Sequence, residues 1–509
     1  MNRAISNVTA AVLSKAVSIL GAFAIRTVII YTLGNEYVGL NSLFVSILSV
    51  LSLAELGFGS ALTFMMYGPV NENDTRKLCE LLNFYKIIYR TVALIILGLG
   101  LVLTLFLPKF ISGTYPSDIN IYLLFWIYLL NTVLSYAVCA YRSALLIAHQ
   151  RNDMTSLVHI VTQMLMYGIQ IAVILIWKNY YAYAIMLPCA TVAYNLITNG
   201  IAKKKYPDIA AKGKISDSER RELLRKIKAL FVHRVTGITI TSVDNIIISV
   251  LLGLNALAVF SNYYYIANAL IGFVDVSVSA IISIIGNKLL NKTRKERYEL
   301  FIYASRLSNL AVAVCTVCLF NLYQPFMGLW VGEKNLLSTI EMTAFCVYFF
   351  AMKIRAMGVC FRDAAGLWRQ DVVKSLLTAV LNVVGNIILV RKIGVTGSLV
   401  STIILMVCLC YPWETAMLFR HIFKRDAARY VTDTVLIGIL TVFAMVISHL
   451  VIKQISVAGA ISALIFSGLI TIGVVMVVFG PVVYLLEKER IVAFANRVMR
   501  FYKSKTTKK

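Results

Sequence analysis

The chain has 509 residues, of which 59% are hydrophobic and 14% are charged, and this composition excludes an ordinary soluble domain. The formal net charge is +25, but the basic residues concentrate in short segments between apolar runs. Their retention in the cytoplasm explains the charge more simply than nucleic-acid binding does. The nine cysteines lie mostly within apolar runs, so we expect neither a disulfide framework nor a zinc site.

Apolar runs of about twenty residues, the length that a helix needs to cross a bilayer, follow one another along the chain. The first run contains Lys15 and Arg26 and lacks a small-residue cleavage site, so we interpret it as a span and not as a signal peptide. The longest connector, residues 203–228, is strongly basic and predicts an amphipathic surface helix. Roughly fourteen spans are predicted, and they begin near residues 10, 38, 84, 120, 155, 180, 229, 256, 300, 340, 372, 396, 432 and 458.

The distribution of lysine and arginine predicts the orientation. If the N-terminus is cytoplasmic, the cytoplasmic segments include residues 203–228 and the stretches NKLLNKTRKER, RHIFKRDAAR and RFYKSKTTKK. These segments hold most of the basic residues of the connectors, which is the bias that orients membrane proteins. An even number of spans then places both termini in the cytoplasm.

An internal repeat connects the two halves of the chain. The stretches AYRSALLIAHQ and CFRDAAGLWRQ place arginines 220 residues apart, and other landmarks recur at offsets of 217 to 220. The matched pairs are Gly34 and Gly253, Glu55 and Asp275, Pro108 and Pro325, and Arg142 and Arg362. Six spans recurring as six spans predict two lobes related by an axis along the membrane normal. The predicted division is a first lobe at 1–202, the connector at 203–228, a second lobe at 229–425, and two added helices with a basic tail at 426–509.

Polar and cationic residues form matching stripes on the first helix of each half. The spacing of 0, 3, 7 and 11 residues places each set on one helical face. The sets are Lys15, Ser18, Ala22 and Arg26 in span one, and Arg234, Gly237, Thr241 and Asn245 in span seven. An arginine at the bilayer centre costs roughly 2.5–3.5 kcal/mol even on the lenient insertion scale. We therefore expect the stripes to face a hydrated cavity between the halves.

The other buried charges allow two interpretations each. Arg142 and Arg362 lie near cytoplasmic helix ends, where each either lines the cavity or extends to lipid headgroups. The same two alternatives hold for Arg234 and Arg306. Asp244 either pairs with a cavity arginine or binds a coupling cation.

The paired acids Glu55 and Asp275 either carry a coupling proton or hold helices together by hydrogen bonds. His159 and His233 could titrate near neutral pH, and a structural role is favoured for both.

The chain lacks the short motifs of the enzymes that its composition would allow. No GxxxxGK[ST], DxD or HExxH sequence occurs, and no Ser/His/Asp constellation or large outer loop could hold a catalytic site. The chain is therefore interpreted as a secondary transporter that works by alternating access of two homologous halves.

Four segments resemble bacterial polysaccharide flippases of the Wzx type, in the multidrug/oligosaccharidyl-lipid/polysaccharide (MOP) exporter superfamily. They are EYVGLNSLFVSILSVLSLAELGFGSAL, VDNIIISVLLGLNALAVFSNYYYIANAL, KKKYPD and YPWETAMLF. The resemblance implies an all-α fold of fourteen helices, with two six-helix lobes and two extra C-terminal helices. It also implies transfer of an undecaprenyl-diphosphate-linked oligosaccharide to the outer leaflet of a bacterial cytoplasmic membrane. An ion gradient or the membrane potential would drive this transfer, with H⁺ or Na⁺ as the coupling ion. No cofactor is expected. The expected partners are a glycan polymerase and other envelope-biosynthesis proteins.

The cargo and the buried charges together give the predicted site. A diphosphate in a low-dielectric cavity requires cations, and the arginine fork matches phosphate oxygens bidentately. The ion-coupling or gating residues are expected to be Asp244, Glu55 and Asp275. The residues expected to hold the cargo are Arg26, Arg234, Arg142, Arg306, Arg362, Lys15 and Asn245.

Four alternatives remain open at this point. A lipid II flippase would need a similar cationic cavity. A multidrug cation antiporter would instead need a cavity dominated by acids and aromatics, and a polysaccharide polymerase or glycosyltransferase would need an outer loop or an acidic metal site. A structural scaffold would give no reason to bury charges on matching faces of both halves.

Overall fold

The structure is a computed structural model that describes residues 2–55, 58–221, 235–289, 293–455, 457 and 459–506. The described residues form helices and connecting turns, without strands. The helices of the first part of the chain are α1 (Asn2–Thr32), α2 (Asn35–Leu51), α3 (Phe58–Asn71), α4 (Thr75–Thr104), α5 (Ile121–Ala137), α6 (Tyr141–Ala148), α7 (Asn152–Trp177) and α8 (Tyr180–Lys205).

The later helices begin after a π-helical turn at Thr239–Val243. They are α9 (Asp244–Leu289), α10 (Arg294–Val331), α11 (Thr339–Lys353), α12 (Ala356–Ala364), α13 (Trp368–Ile393), α14 (Val395–Ile404), α15 (Tyr411–Leu418), α16 (Ala428–Lys453) and α17 (Ala460–Thr506). A second π-helical turn, Leu405–Cys410, connects α14 to α15.

The helices confirm the predicted polytopic all-α fold. Within the described residues, eleven segments are long and apolar enough to cross a membrane, and α5 with α6, bent by 48°, forms a twelfth. One of the eleven, Val235–Val278, is broken at Gly253, and α2 is a further, shorter apolar helix that an irregular stretch separates from α3. If both halves of the broken segment and the α2–α3 segment are counted as crossings, the total reaches the predicted fourteen. The chain is a multi-pass membrane protein.

The chain folds into two compact units, which we call unit 1 and unit 2. Unit 1 contains Met1–Ala269 and Gly366–Cys410, and unit 2 contains Leu270–Ala365 and Tyr411–Lys509. The segments 235–269 and 366–410 thus group with the N-terminal helices, whereas the sequence assigns them to the second lobe. The reason lies in local packing, since the π-helical turn before α9 packs against both α2 and α13.

Glycines with positive φ interrupt both copies of the repeat at the same place. Gly34, between α1 and α2, has φ 112°, and Gly253, within α9, has φ 88°. Both positions require a conformation that disfavours any residue with a Cβ atom. Gly253 has a second constraint, because a Cβ atom there would lie 2.7 Å from the carbonyl oxygen of Ser112. The predicted correspondence of Gly34 and Gly253 is therefore present in the backbone.

The described part of the basic connector folds back onto unit 1. Ile209 is buried in an apolar cluster with Leu78 and Leu82 of α4. The carbonyl of Ile209 accepts a hydrogen bond of 3.3 Å from Nη1 of Arg142. The predicted amphipathic helix of this connector lies partly outside the described residues.

An ion pair also holds the connector to α4. Nζ of Lys77 lies 2.5 Å from Oε1 of Glu219. Hydrogen bonds from Lys77 and Ser216 to the Glu219 carboxylate hold its pKa below the ordinary value. The cationic connector is thus fixed to the lobe by apolar burial and by one of its few acids.

The two glycine junctions give a stability prediction with an internal control. Gly34→Ala introduces the positive-φ cost alone, about 1–2 kcal/mol, because no atom lies within 4 Å of the position that its Cβ atom would take. Gly253→Ala adds the clash with Ser112 and should lower the free energy of unfolding further. Gly272→Ala, in helical backbone and open space, should be neutral or slightly stabilising.

Thermal unfolding of the three purified variants in detergent measures the order of stability. We expect Gly272→Ala to be most stable, Gly34→Ala intermediate and Gly253→Ala least stable. Equal stability of Gly253→Ala and Gly272→Ala would contradict the positive φ and the close contact with Ser112 described for Gly253.

Candidate functional site

Arg26 lines a cavity inside unit 1. The cavity has a volume of about 280 Å³ and lies between α1, α2, α7, α8 and the part of α9 that follows Gly253. Its wall contains aromatic rings and side-chain amides. The polar side chains that line it are Arg26, Asn41, Tyr167, Gln170, Tyr183 and Tyr265. A guanidinium therefore faces an open volume in the membrane-spanning part of the chain, and the cavity between the halves that the sequence predicts for this residue stays a prediction.

Neutral groups hold the Arg26 guanidinium in place. Nε donates a hydrogen bond of 2.6 Å to Oδ1 of Asn262, and Nη2 donates to the hydroxyl of Ser261. The guanidinium carbon lies 5.6 Å from the ring centre of Tyr265, a cation–π contact. Within the described residues, no carboxylate lies within ion-pair distance of Arg26 and Nη1 has no hydrogen-bond partner. Arg26 is thus fixed and half-buried, and its positive charge is not neutralised by the protein described.

The wall opposite α1 is built on buried tyrosines. The hydroxyl of Tyr128 donates to Oδ1 of Asn41 at 2.7 Å, and the hydroxyl of Tyr180 donates to the Tyr37 carbonyl at 3.1 Å. Tyr180 also stacks on Tyr183 with ring centres 5.1 Å apart. These contacts fix the polar groups that the cavity presents, so the site is preformed.

The other predicted cargo residues of unit 1 lie away from this cavity. Lys15 is exposed on α1 and does not line the cavity. Arg142 is buried, donates to the connector at Ile209, and leaves Nε without a partner among the described residues. Asn245 donates to the hydroxyl of Ser46 at 2.8 Å. Arg234 lies outside the described residues, and the convergence of arginines from both halves stays a prediction.

The predicted arginines of unit 2 are paired with acids. Arg306 makes a two-pronged contact with Asp433 of α16, with Nε–Oδ2 at 2.7 Å and Nη2–Oδ1 at 3.1 Å. Arg362 contacts the adjacent Asp363 at 2.7 Å and lies 3.9 Å from Glu414. Their charges are balanced within the protein, so they differ from Arg26 in what they can offer to an anion.

Two further cations of unit 2 were not found by the sequence reasoning. Lys353 contacts the predicted residue Asp275 at 2.7 Å, and Nε of Arg355 lies 2.9 Å from Oε2 of Glu414. Lys353 and Arg355 interrupt the apolar run FCVYFFAMKIRAMGVC, and that interruption was a signal available in the sequence. Asp275 is thus paired with a lysine in this structure.

Asp244 lies in a buried cluster of amides and hydroxyls in unit 1. Oδ1 of Asp244 accepts a hydrogen bond from Nδ2 of Asn386, which also lies 3.3 Å from Oδ1 of Asn382. Asn382 donates to the hydroxyl of Thr402 at 3.0 Å. The Ser398 hydroxyl lies beside the same carboxylate without a hydrogen bond of standard geometry. Within the described residues, no basic side chain lies within ion-pair distance of Asp244.

The hairpin of α13 and α14 brings this cluster together. Gly394, with φ 62°, forms the turn, and a Cβ atom at Gly397 would overlap the backbone of Leu389. The two helices can therefore approach closely, which places the amides of α13 beside the hydroxyls of α14. The signal that sequence reasoning missed is the i, i+4 spacing of Asn382 with Asn386 and of Ser398 with Thr402.

Glu55 serves a local structural contact in this structure. Its Oε1 accepts hydrogen bonds from the Gly59 amide at 3.2 Å and from the Tyr89 hydroxyl at 3.4 Å. The two acids that the sequence pairs, Glu55 and Asp275, therefore have different partners. In the described part of the chain, no group of three or more His, Cys, Asp or Glu side chains could hold a metal ion.

An apolar cleft lies between α16 and α17 in unit 2. Its volume is about 550 Å³. The lining residues are Leu440, Phe443, Ile447, Ile470, Gly473, Val474, Val477 and Val478. These two helices are the ones that the repeat leaves out.

Comparisons with known proteins agree with this architecture. The family described as "Polysaccharide biosynthesis protein" matches residues 4–286. The fold is similar to the lipid II flippase MurJ in an inward closed conformation, with TM-score 0.69 and 16% identity over 95% of this chain and 100% of that chain. It is also similar to the inward-facing conformation of a multidrug resistance MATE family transporter of the MOP superfamily, with TM-score 0.59 and 15% identity over 80% of this chain and 96% of that chain. No curated protein sequence matches the chain.

The two kinds of match have different weight. The solved structures share too little sequence to show more than the fold, and both are transporters or flippases by their descriptions. The family match covers more than half of the chain. The chain therefore belongs to the polysaccharide biosynthesis protein family, and it has the fold of the MOP-superfamily transporters.

Proposed function

We propose that this protein is a flippase that moves an undecaprenyl-diphosphate-linked glycan from the cytoplasmic to the outer leaflet of a bacterial cytoplasmic membrane. The observation that carries the proposal is the Arg26 guanidinium, which faces a cavity without an acidic partner among the described residues. A buried cation of this kind gains most from an anionic ligand, because an uncompensated charge in a low dielectric is costly. A diphosphate supplies the negative charge and the oxygen geometry that a guanidinium prefers.

The family supports a glycan as the rest of the cargo. Its description names polysaccharide biosynthesis, and a lipid-linked glycan carries both the sugar that this description suggests and a diphosphate for Arg26. The apolar cleft between α16 and α17 offers a surface for a prenyl chain and contains no charged side chain. A multidrug cation is a poor fit, since the ionisable group of the Arg26 cavity is itself a cation.

Lipid II is the second candidate cargo, favoured by the similarity of this fold to MurJ. It carries the same diphosphate and prenyl groups, so the Arg26 cavity would hold it by the same contacts. The two cargoes differ only in the glycan and peptide, and reconstituted transport of each measures the preference.

Asp244 is the residue to which we assign coupling to a cation gradient. Carboxylate, amide and hydroxyl oxygens are the ligands that hard cations prefer, and such oxygens surround Asp244. Oδ1 of Asn386 and the Ser398 hydroxyl are buried without partners among the described residues, so they are available to a bound ion. Either Na⁺ within this cluster or a proton on the carboxylate would neutralise Asp244.

Removal of Arg26 should strongly slow transport without loss of stability. A hydrogen bond to a charged group contributes about 1.5–3 kcal/mol, so Arg26→Gln should lower the rate at least about tenfold. Arg26→Lys keeps the charge but loses the fork, so an intermediate rate is expected. The assay is movement of a labelled undecaprenyl-diphosphate oligosaccharide between leaflets of proteoliposomes.

The control for Arg26 is a paired arginine at the surface. Arg429 lies 3.3 Å from Glu299 and is exposed, so Arg429→Gln should transport at the unchanged rate. Thermal unfolding of Arg26→Gln should match or exceed that of the unaltered protein, because an uncompensated charge has been removed. Unaltered transport by Arg26→Gln would refute the proposed role.

Replacement of Asp244 should uncouple the protein from its ion. A cation that binds the folded state raises stability in proportion to the logarithm of its concentration, about 2.7 kcal/mol at a hundred times the dissociation constant. We expect Na⁺, or low pH if the ion is a proton, to stabilise the unaltered protein and not Asp244→Asn. Thr402→Val should weaken stabilisation by Na⁺, because it removes a hydroxyl ligand, and should leave stabilisation by low pH unchanged.

Asp153→Asn provides the matched control, since Asp153 pairs with Arg151 outside the cluster. Its response to both ions should equal that of the unaltered protein. If Na⁺ and low pH stabilise Asp244→Asn as much as they stabilise the unaltered protein, Asp244 has no part in the coupling mechanism.

A further inference from the structure

A second, larger cleft lies in unit 1 beside the Arg26 cavity. Its volume is about 540 Å³, within the range of about 300–1,000 Å³ that is usual for small-molecule sites. The two cavities share wall residues, namely Met166, Tyr167 and Leu187. A ligand that occupies the Arg26 cavity could therefore extend into this cleft.

The cleft is polar but carries no formal charge from acidic or basic side chains. Its lining contains no Asp, Glu, Lys or Arg side chain. It contains instead tyrosines, amides and hydroxyls together with one histidine. The lining includes Tyr89, Asn131, Tyr136, His159, Gln163 and Tyr194. Polar side chains in a membrane-spanning lobe are costly unless they are hydrogen-bonded, and several of these bond to backbone carbonyls of the lobe, among them Ser135, Ser143 and Asn195.

Part of the polar surface is fixed and part is available. The Thr191 hydroxyl donates to Oδ1 of Asn131 at 2.7 Å, and Nδ1 of His159 lies 3.0 Å from the Ser14 hydroxyl. The Gln163 side chain makes no hydrogen bond to any other described residue and is only partly exposed. The cleft therefore presents an amide that can both donate and accept, held on the rigid helix α7.

Aromatic rings complete the cleft. The rings of Tyr89 and Tyr136 pack edge to face with centres 5.3 Å apart, and those of His159 and Tyr194 do so at 5.9 Å. Such packing holds the rings in fixed orientations. Rigid aromatic surfaces next to neutral amides and hydroxyls suit a ligand with apolar C–H faces and many hydroxyls, which is the surface of an uncharged sugar.

We propose that this cleft is a subsite for neutral sugar residues of the cargo, next to the Arg26 subsite for the diphosphate. The proposal rests on the proposed flippase function and adds where the glycan is recognised and that its recognised part is uncharged. The absence of cationic side chains in the lining argues against acidic sugars at this position. Gln163 and the hydroxyl of Tyr194 are the groups expected to bond the sugar.

Two cargoes that share the lipid and the diphosphate test the proposal. One is undecaprenyl diphosphate carrying a neutral oligosaccharide, and the other is undecaprenyl diphosphate without sugar. Each is followed between the leaflets of proteoliposomes. Gln163→Leu and Tyr194→Phe each remove one neutral hydrogen bond, worth about 0.5–1.5 kcal/mol, so they should slow the glycan-bearing lipid about two- to tenfold. Neither should slow the sugar-free lipid.

The control variants separate this proposal from the function on which it rests. Arg26→Gln should slow both lipids, and Tyr122→Phe, at an exposed tyrosine of α5 outside the cleft, should slow neither. Equal slowing of both lipids by the cleft variants, or no slowing of either, would mean that the cleft holds only water or supports the fold, and would overturn the proposal. Failure of the unaltered protein to move either lipid would instead overturn the proposed function.

Discussion

The uncompensated charge of Arg26 is the constraint on which the site depends. An arginine within the hydrocarbon region costs roughly 2.5–3.5 kcal/mol on the lenient insertion scale, and a fixed acid would normally offset that cost. Here Asn262, Ser261 and Tyr265 hold the guanidinium in position and leave its charge intact. Orientation without neutralisation is the arrangement expected of a group that must bind an anion and later release it.

The buried cations of unit 2, in contrast to Arg26, are paired with carboxylates. Arg306 and Lys353 are both buried, and each contacts a carboxylate at 2.7 Å. For Arg306 and Asp433, removal of one partner leaves the other charge buried and unpaired, at a cost of about 3–5 kcal/mol, whereas the Asp275 side chain is 55% exposed and stays solvated without Lys353. These pairs therefore contribute to the cohesion of the helices that carry them, which explains why burial alone does not distinguish a cargo-binding arginine from a structural one.

Periodicity in the sequence was sufficient to predict the helices and the matching glycines Gly34 and Gly253. It predicted these features because span length, the 3.6-residue period and the positive-φ glycines Gly34 and Gly253 are local properties. The partner of Arg306 could not be predicted, since Asp433 lies 127 residues further along the chain and the spacing gives no sign of the contact. The grouping of 366–410 with the N-terminal helices also follows from packing between distant segments, which spacing in the sequence does not reveal.

Unit 1 contains a half-buried cation, Arg26, and a buried acid, Asp244, that do not neutralise each other in the described structure. Arg26 contacts Asn262 and Ser261, whereas Asp244 contacts Asn386, and each charge is surrounded by neutral dipoles. Had the two side chains formed an ion pair, each would have offset the charge of the other, and a charged ligand would have gained less by binding to either. Because they are separate, the proposed anionic cargo at Arg26 and the proposed cation at Asp244 would each lower the free energy of the unit on their own. A difference in either affinity between inward-facing and outward-facing states would then bias the transport cycle, and this dependence is the physical basis on which an ion gradient could drive cargo in one direction.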